Sequence, residues 1–220
     1  MPKILFVPIS IVGCGKSTVF RTLRQLAPGF VHIENDNFDN KPAFYNAIRT
    51  ALSDPSTLAV LLDRNNHLRM HRREILNNFK AEGVLVVALL FVPKSTLAQQ
   101  MRSLVLDRIA LRGDNHQQVK GESDFGKAKM IVNSFVKNFA PFNPNDAIDS
   151  RFDHVIDMDT EKESSEENVR RIANFCNEIF AETAGESDFT MIDETQILQA
   201  LHLSLAFQVG KDDATIAPGQ

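Results

Sequence analysis

The stretch KILFVPISIVGCGKSTVFRTLRQL, residues 3–26, decides the fold. Residues 3–9 form a short apolar, β-branched run with the composition of a buried strand. A glycine-rich turn ends it, and from Lys16 onward Val19, Leu23 and Leu26 recur at helical spacing. Strand, loop and helix in that order are the context that the Walker A pattern requires. The residue types follow from the chemistry of a phosphate cradle. Gly13, Cys14 and Gly15 make a loop whose backbone N–H groups can approach phosphate oxygens, and the helix start adds partial positive charge. Lys16 reaches the outer phosphates, the Ser17 hydroxyl ligates Mg²⁺, and Thr18 completes the nucleotide-binding run. Ser10 stands where the pattern has its first glycine, a turn position that carries neither the lysine nor the hydroxyl chemistry. Cys14 reads as a filler of the loop, not a redox centre.

Working outward, the same alternation recurs. Strands are expected at 30–33, 58–62, 84–91 and 152–158, with helices at 42–52, 68–79, 95–111, 127–139 and 164–180. Short apolar strands between helices predict an α/β fold with a central parallel sheet flanked by helices on both faces. The polar segment from Arg112 to Gly126 interrupts that alternation and reads as a lid. Near the end, Asp193-x-x-Gln196 resembles a capping box opening an apolar helix, 197–207. That helix is expected to dock on the domain, with a self-association face or a junction to a further domain as alternatives.

Composition narrows the class. At 220 residues, of which 43% are apolar, the chain can bury a core without disulfides or metals. Two cysteines are too few for a disulfide framework, and no charged-then-apolar leader precedes the first strand, so a reducing intracellular compartment is expected. The longest apolar stretch, 84–93, is about half of what a helix needs to cross a bilayer. No membrane partner is expected. The net charge of −4 conceals a basic middle: residues 64–140 hold thirteen Lys and Arg against six Asp and Glu, whereas residues 141–220 hold five against seventeen. Basic middles suit partners that carry phosphates, although a solvated surface gives the same count.

A triphosphate site serves motors, switches and kinases alike, so the class depends on what else faces the outer phosphate. Asp36 follows the second strand, where the loops of an open α/β sheet line the nucleotide crevice. A carboxylate there can take a proton from an acceptor hydroxyl; with asparagine on either side it can equally be a helix cap or turn former. Asp63 ends the third strand, where a Walker B carboxylate would hold Mg²⁺ through water, and Arg64 beside it could clamp an acceptor phosphate. Arg69, Arg72 and Arg73 follow on the next helix with His71, at least two of the three expected on an exposed basic face, and His67 reads as a hydrogen-bonding group. Arg108 and Arg112 lie one helical turn apart before the polar segment, placed to offset charge that develops on a transferred phosphoryl group.

Several stretches together resemble one family. The P-loop run 7–17, His32-Ile-Glu-Asn-Asp-Asn37, Asp63-Arg-Asn-Asn-His67, Arg112-Gly-Asp-Asn-His-Gln117 and Phe152-Asp-His-Val-Ile156 are similar to the polynucleotide kinase domain of fungal tRNA ligases. The resemblance implies a P-loop kinase over residues 1–182, with residues 183–220 as a C-terminal helix and tail. It implies transfer of the γ-phosphate of GTP, with Mg²⁺, to the 5′-hydroxyl end of RNA such as cleaved tRNA exon halves or mRNA exons. By resemblance Lys16 and Ser17 act on the phosphates and metal, Asp36 is general base, Arg64 lies near the acceptor, and Arg108 and Arg112 belong to the lid. Asp114, Asn115 and His116 would help bind the nucleotide, Asp114 by accepting from the guanine edge. In that family the kinase lies between a ligase and a cyclic phosphodiesterase, and this chain carries the sequence of neither. It therefore reads as an excised kinase domain or a free-standing relative. A small-molecule P-loop kinase and a non-catalytic GTP-binding module are the competing readings.

Overall fold

A computed structural model of the chain describes residues 1–92, 100–114, 119–160, 164–185 and 192–209. Five strands, β1 (Lys3–Ile9), β2 (Phe30–Glu34), β3 (Ala59–Asp63), β4 (Val84–Leu90) and β5 (His154–Asp157), form one sheet in the order β2-β3-β1-β4-β5. Every pair is parallel, with Ile4 opposite Ala59, Lys3 opposite Val84, Glu34 opposite Asp63 and Val87 opposite His154. Parallel neighbours need crossover connections, supplied by α1 (Lys16–Leu26), α2 (Lys41–Ser53) and α3 (Arg69–Phe79). Helices α4 (Met101–Arg112) and α5 (Phe125–Asn138) form a paired excursion between β4 and β5, and α6 (Ser164–Ala184) and α7 (Ile197–Val209) follow β5.

The strands bury both faces because each reads as an apolar run. Ile4 and Phe6 of β1, Ala59 and Leu61 of β3, and Val87 and Leu89 of β4 face a layer built from α1, α4, α5, α6 and α7. The alternate residues Leu5, Val7, Ile9, Val60, Leu62, Val86 and Leu90 face α2 and α3 through Phe44, Ile48, Ile75 and Leu76. With β1 central, the chain leaves it first to one side and later to the other, so the reversal falls at the carboxyl end of β1. Ligands of open α/β sheets bind at that point.

Local chemistry sets the boundaries. Asn40 caps α2, its Oδ1 accepting from the Ala43 N–H at 2.9 Å with Pro42 in the first turn, and Asp124 caps α5 through the Lys127 N–H at 3.1 Å. Helix α5 thus begins at Phe125, two residues before the periodicity suggests. Of the helix expected over 95–111, α4 is seen from Met101, and Ser95 lies outside the described residues. The capping box expected at Asp193 is replaced by a tighter device. Asp193 Oδ1 accepts from the Thr195 N–H and hydroxyl at 2.9 and 2.7 Å, and the Gln196 N–H donates to the Asp193 carbonyl, which makes a 3-10 turn, Glu194–Gln196. Helix α7 docks on α1: Ile197, Ala200, Leu201 and Ser204 are buried, and the Ser204 and Thr22 hydroxyls meet at 3.1 Å. Among the described residues no helix is long and apolar enough to cross a membrane.

The basic face expected on α3 is divided. Arg69 and Arg73 are exposed, but Arg72 is 1% exposed and forms a two-pronged ion pair with Asp149 at 2.7 and 3.0 Å. It also donates to the Ala140 carbonyl at 2.9 Å, so one guanidinium pins residues 140–149 against α3.

Candidate active site

The turn after β1 takes its shape from glycine. Gly13 and Gly15 have φ of +82° and +88°, the left-handed region that side chains resist. A Cβ on Gly13 would lie 2.9 Å from Val105 Cγ1, so α4 is seated directly beneath the loop. Around Gly15 there is open space within 4 Å, the side from which a phosphate could reach the backbone. Cys14 is buried, and burial, against the opposing pull of Lys16, pushes its thiol up to about 11. It remains a neutral filler at physiological pH.

The Asp63-Arg-Asn-Asn run is laced to the end of β1. The Ser10 N–H donates to the Asn65 carbonyl at 2.9 Å and the Ser10 hydroxyl to Asn65 Oδ1 at 3.0 Å. Asn66, fully buried with φ +47°, donates through Nδ2 to the Pro8 and Arg64 carbonyls at 3.0 and 3.1 Å. The loops after β1 and β3 are therefore one hydrogen-bonded unit.

Charges alternate across that unit. Lys16 Nζ lies 3.7 Å from Asp63 Oδ1, with both side chains under 10% exposed. His32 Nε2 donates to Asp63 Oδ2 at 3.0 Å, because an ionised carboxylate can only accept and so selects the tautomer. His32 Nδ1 is 3.6 Å from Glu34 Oε1, which is 3.7 Å from Arg21 Nε. The chain of partners leaves α1 at Lys16, crosses β3 and β2, and returns to α1 at Arg21. Burial raises the cost of an ionised Asp63, but Lys16, His32 and the Ser17 hydroxyl together outweigh it and hold the carboxyl well below the usual range. An ionised carboxylate beside a serine hydroxyl is the hard oxygen set that suits Mg²⁺.

Asp36 sits on the 3-10 turn Asn35–Asn37, exposed, two residues past the Glu34 that pairs in register with Asp63. The cap of α2 is Asn40, so the Asp36 carboxylate is not engaged in capping that helix. Arg64 is half-buried, with Nη1 3.5 Å from the Tyr45 hydroxyl. Arg108 donates to the Thr160 carbonyl at 3.0 Å, and its charge reaches Cys14 in the loop. Arg112 donates to the Val119 carbonyl at 3.3 Å while its Nε is buried without a partner, and burial together with the charge of Arg21 lowers its affinity for its proton.

Asp114, expected at the guanine edge, also holds the local backbone. Its Oδ1 accepts from the Glu122 and Ser123 N–H groups, each at 3.0 Å, and the Ser123 side chain, followed by those two bonds, keeps the carboxyl low. It braces the turn between α4 and α5. Asn115 and His116 lie outside the described residues. His67 packs on Phe135 and His71 with ring centroids 4.3 and 5.4 Å away, and its buried Nδ1 has no hydrogen-bond partner.

Sequence reasoning passed over His32, Arg21, Tyr45, Asn65 and Asn66 as site residues. His32 was within reach, since it stands two residues before Glu34 and strand alternation puts both on one face. Its partner could only come from the β2–β3 register.

Comparison with known proteins places this arrangement. The family model for the tRNA ligase kinase domain matches residues 5–161. A tRNA ligase of Candida albicans is 35% identical over 186 residues, covering 77% of this chain and 22% of that protein. The tRNA ligase 1 of Schizosaccharomyces pombe is 35% identical over 178 residues, 78% of this chain and 22% of its own length. The chain thus spans about a fifth of the curated relatives that it matches. Among solved structures, one described as a fungal RNA kinase superposes with a TM-score of 0.78 at 30% identity, covering 92% of this chain and 96% of that one. The chain has a P-loop kinase fold and belongs to the tRNA ligase kinase domain family.

Proposed function

We propose that this chain is an RNA 5′-hydroxyl kinase that transfers the γ-phosphate of GTP to the 5′ end of cleaved RNA, tRNA exon halves above all. The observation that carries this reading is the Lys16–Asp63 pair at the mouth of the P-loop, with Asp36 and Arg64 flanking it at the ends of β2 and β3. The similarity to a fungal RNA kinase over 92% of the chain supports the acceptor. The resemblance of the Arg112–Gln117 run to fungal tRNA ligase kinases supports the donor.

In this reading the backbone N–H groups of residues 13–18 hold the phosphates and Lys16 meets the outer ones. Ser17 and Asp63 hold Mg²⁺, which when bound offsets phosphate charge. Arg64 positions the acceptor end and Asp36 orients its 5′-hydroxyl. The hydroxyl oxygen forms a bond to the γ-phosphorus as the bond from that phosphorus to the β–γ bridging oxygen breaks. The hydroxyl proton passes to Asp36, and the products are 5′-phosphorylated RNA and GDP. Arg108 and Arg112 lie on the helix beneath the cradle, placed to offset charge on the γ-oxygens, a contribution of about 10³–10⁵ in rate for arginines in such positions.

The test is transfer of labelled γ-phosphate from GTP, and separately from ATP, to a short 5′-hydroxyl RNA, beside a Lys16→Ala control. Label from GTP and hardly any from ATP is expected. Label on a small metabolite but not on RNA would make the chain a small-molecule kinase, and nucleotide binding without transfer would make it a binding module.

A further inference from the structure

A second feature of the molecule lies on α2, next to the site. Lys41, Pro42, Ala43, Tyr45, Asn46 and Arg49 line an open cleft of about 640 Å³. Lys41, Tyr45 and Arg49 are spaced four apart, so they form one stripe along the helix. Tyr45 is buried as the floor of the stripe, whereas Lys41, Asn46 and Arg49 are exposed. The stripe is fastened in place. Arg49 donates to Asn78 Oδ1 at 2.9 Å and lies 5.7 Å from the Phe79 ring centroid, while Lys41 Nζ is 2.7 Å from Glu74 Oε2. The Tyr45 hydroxyl donates to Glu74 at 3.3 Å and sits 3.5 Å from Arg64 Nη1. The Tyr45 hydroxyl thus joins the cleft's floor to Arg64, the residue directly after Asp63. The near end of the cleft follows Asp36 in the chain by five residues.

We propose that this cleft binds the single-stranded RNA backbone on the 3′ side of the nucleotide that is phosphorylated, with Lys41 and Arg49 contacting phosphodiesters. The inference rests on the kinase reading above and adds where the acceptor strand runs. Two cations, Lys41 and Arg49, line the cleft, and one carboxylate, Glu74, pairs with Lys41 beside it, so the cleft is net positive. From Lys41 to Arg49 the helix rises about 12 Å. That is several times the roughly 3.4 Å rise per phosphate of a stacked strand. The lining sets the apolar surfaces of Pro42, Ala43 and the Tyr45 ring beside the Lys41 and Arg49 cations, so sugars can rest on it while phosphodiesters meet the charges, and it reads no sequence. Glu74 restrains Lys41, so strand binding must draw that ammonium away from a carboxylate.

Binding of a fluorescent 5′-hydroxyl dodecamer RNA, followed by anisotropy over a range of salt, tests this without relying on transfer. For Lys41→Ala/Arg49→Ala the expected result is weakening by roughly ten-fold, and a salt slope shallower by about 1.4, from 0.7 per single-strand phosphate contact. The KM for GTP should stay within about two-fold, because the cleft is lined by residues of α2 and not by those of the phosphate cradle. Glu74→Gln should act in the opposite direction and tighten the dodecamer. A double variant that keeps both the wild-type affinity and the wild-type slope overturns the proposal and leaves the cleft to another class of ligand, as does an affinity unmoved by Glu74→Gln. Failure of the kinase reading is separately visible as RNA that binds but takes no label.

Discussion

The Ser10 hydroxyl donates a 3.0 Å hydrogen bond to Asn65 Oδ1, so the residue standing where the Walker pattern has glycine joins the nucleotide loop to the loop after β3. The departure from the pattern and the Asp-Arg-Asn-Asn run are two halves of one contact. Ser10→Ala leaves a partly buried acceptor unmatched and should cost about 0.5–1.5 kcal/mol in urea unfolding, and Asn65→Ala a similar amount. The double variant should cost less than the sum, with a coupling of about 0.5–3 kcal/mol, whereas strict additivity would mean that the two residues do not act as a pair.

Asp36 is expected to act on the acceptor and not on the nucleotide. Asp36→Asn should lower kcat by about 10²–10⁴ while leaving GTP binding intact by equilibrium titration. Loss of GTP binding together with activity would place Asp36 in the donor site instead.

His32 orients the carboxylate that faces Lys16. Removing such a partner usually costs a metal site about 10–100-fold in affinity. His32→Ala should therefore raise the Mg²⁺ concentration for half-maximal activity by that order, with the maximum rate at saturating Mg²⁺ changed far less. An unchanged Mg²⁺ dependence would reduce His32 to a packing residue against Phe20, whose ring centroid lies 5.7 Å away.

The Arg72–Asp149 pair is fully enclosed, so Arg72→Ala leaves a buried carboxylate without its cation. The expected loss is about 3–5 kcal/mol by urea unfolding. Arg72→Lys should recover only part of it, because an ammonium cannot make the fork that the guanidinium makes to both carboxylate oxygens. Full recovery by lysine would mean that charge alone matters here.

Acid should weaken the fold through two imidazoles. Burial, then the charge of His71, lowers His67 to about 4; burial, then Arg64, lowers His71 to about 4. In the unfolded chain both take a proton near pH 6.5, so between about 6.5 and 4 the unfolded state binds more protons and stability falls as pH falls. The melting temperature of the wild type should drop through that window, and His67→Gln/His71→Gln should flatten the drop. Identical pH profiles for the two would remove the histidines from the account.

How far the sequence reaches can be judged residue by residue. The strands were legible because a buried parallel strand is an uninterrupted apolar run, and Lys16 and Ser17 because a phosphate cradle tolerates few alternatives. Strand order was not legible, and with it went His32, whose role depends on β2 lying beside β3. Arg72 looked like its neighbours Arg69 and Arg73 because its partner Asp149 is 77 residues away. The bracing role of Asp114 was not legible either, because its Oδ1 accepts from amides eight and nine residues on, a pairing that a polar run does not announce.

The seat of α7 on α1 has a mechanical consequence. Thr22, which meets Ser204, is on the same helix as Ser17, about 7.5 Å further along a stiff rod. In a longer polypeptide, tension applied beyond residue 209 would be delivered through that contact to the root of the phosphate cradle. Trimming the chain before Ile197 would strip the outer side of α1 and leave the cradle resting on a helix with one flank bare.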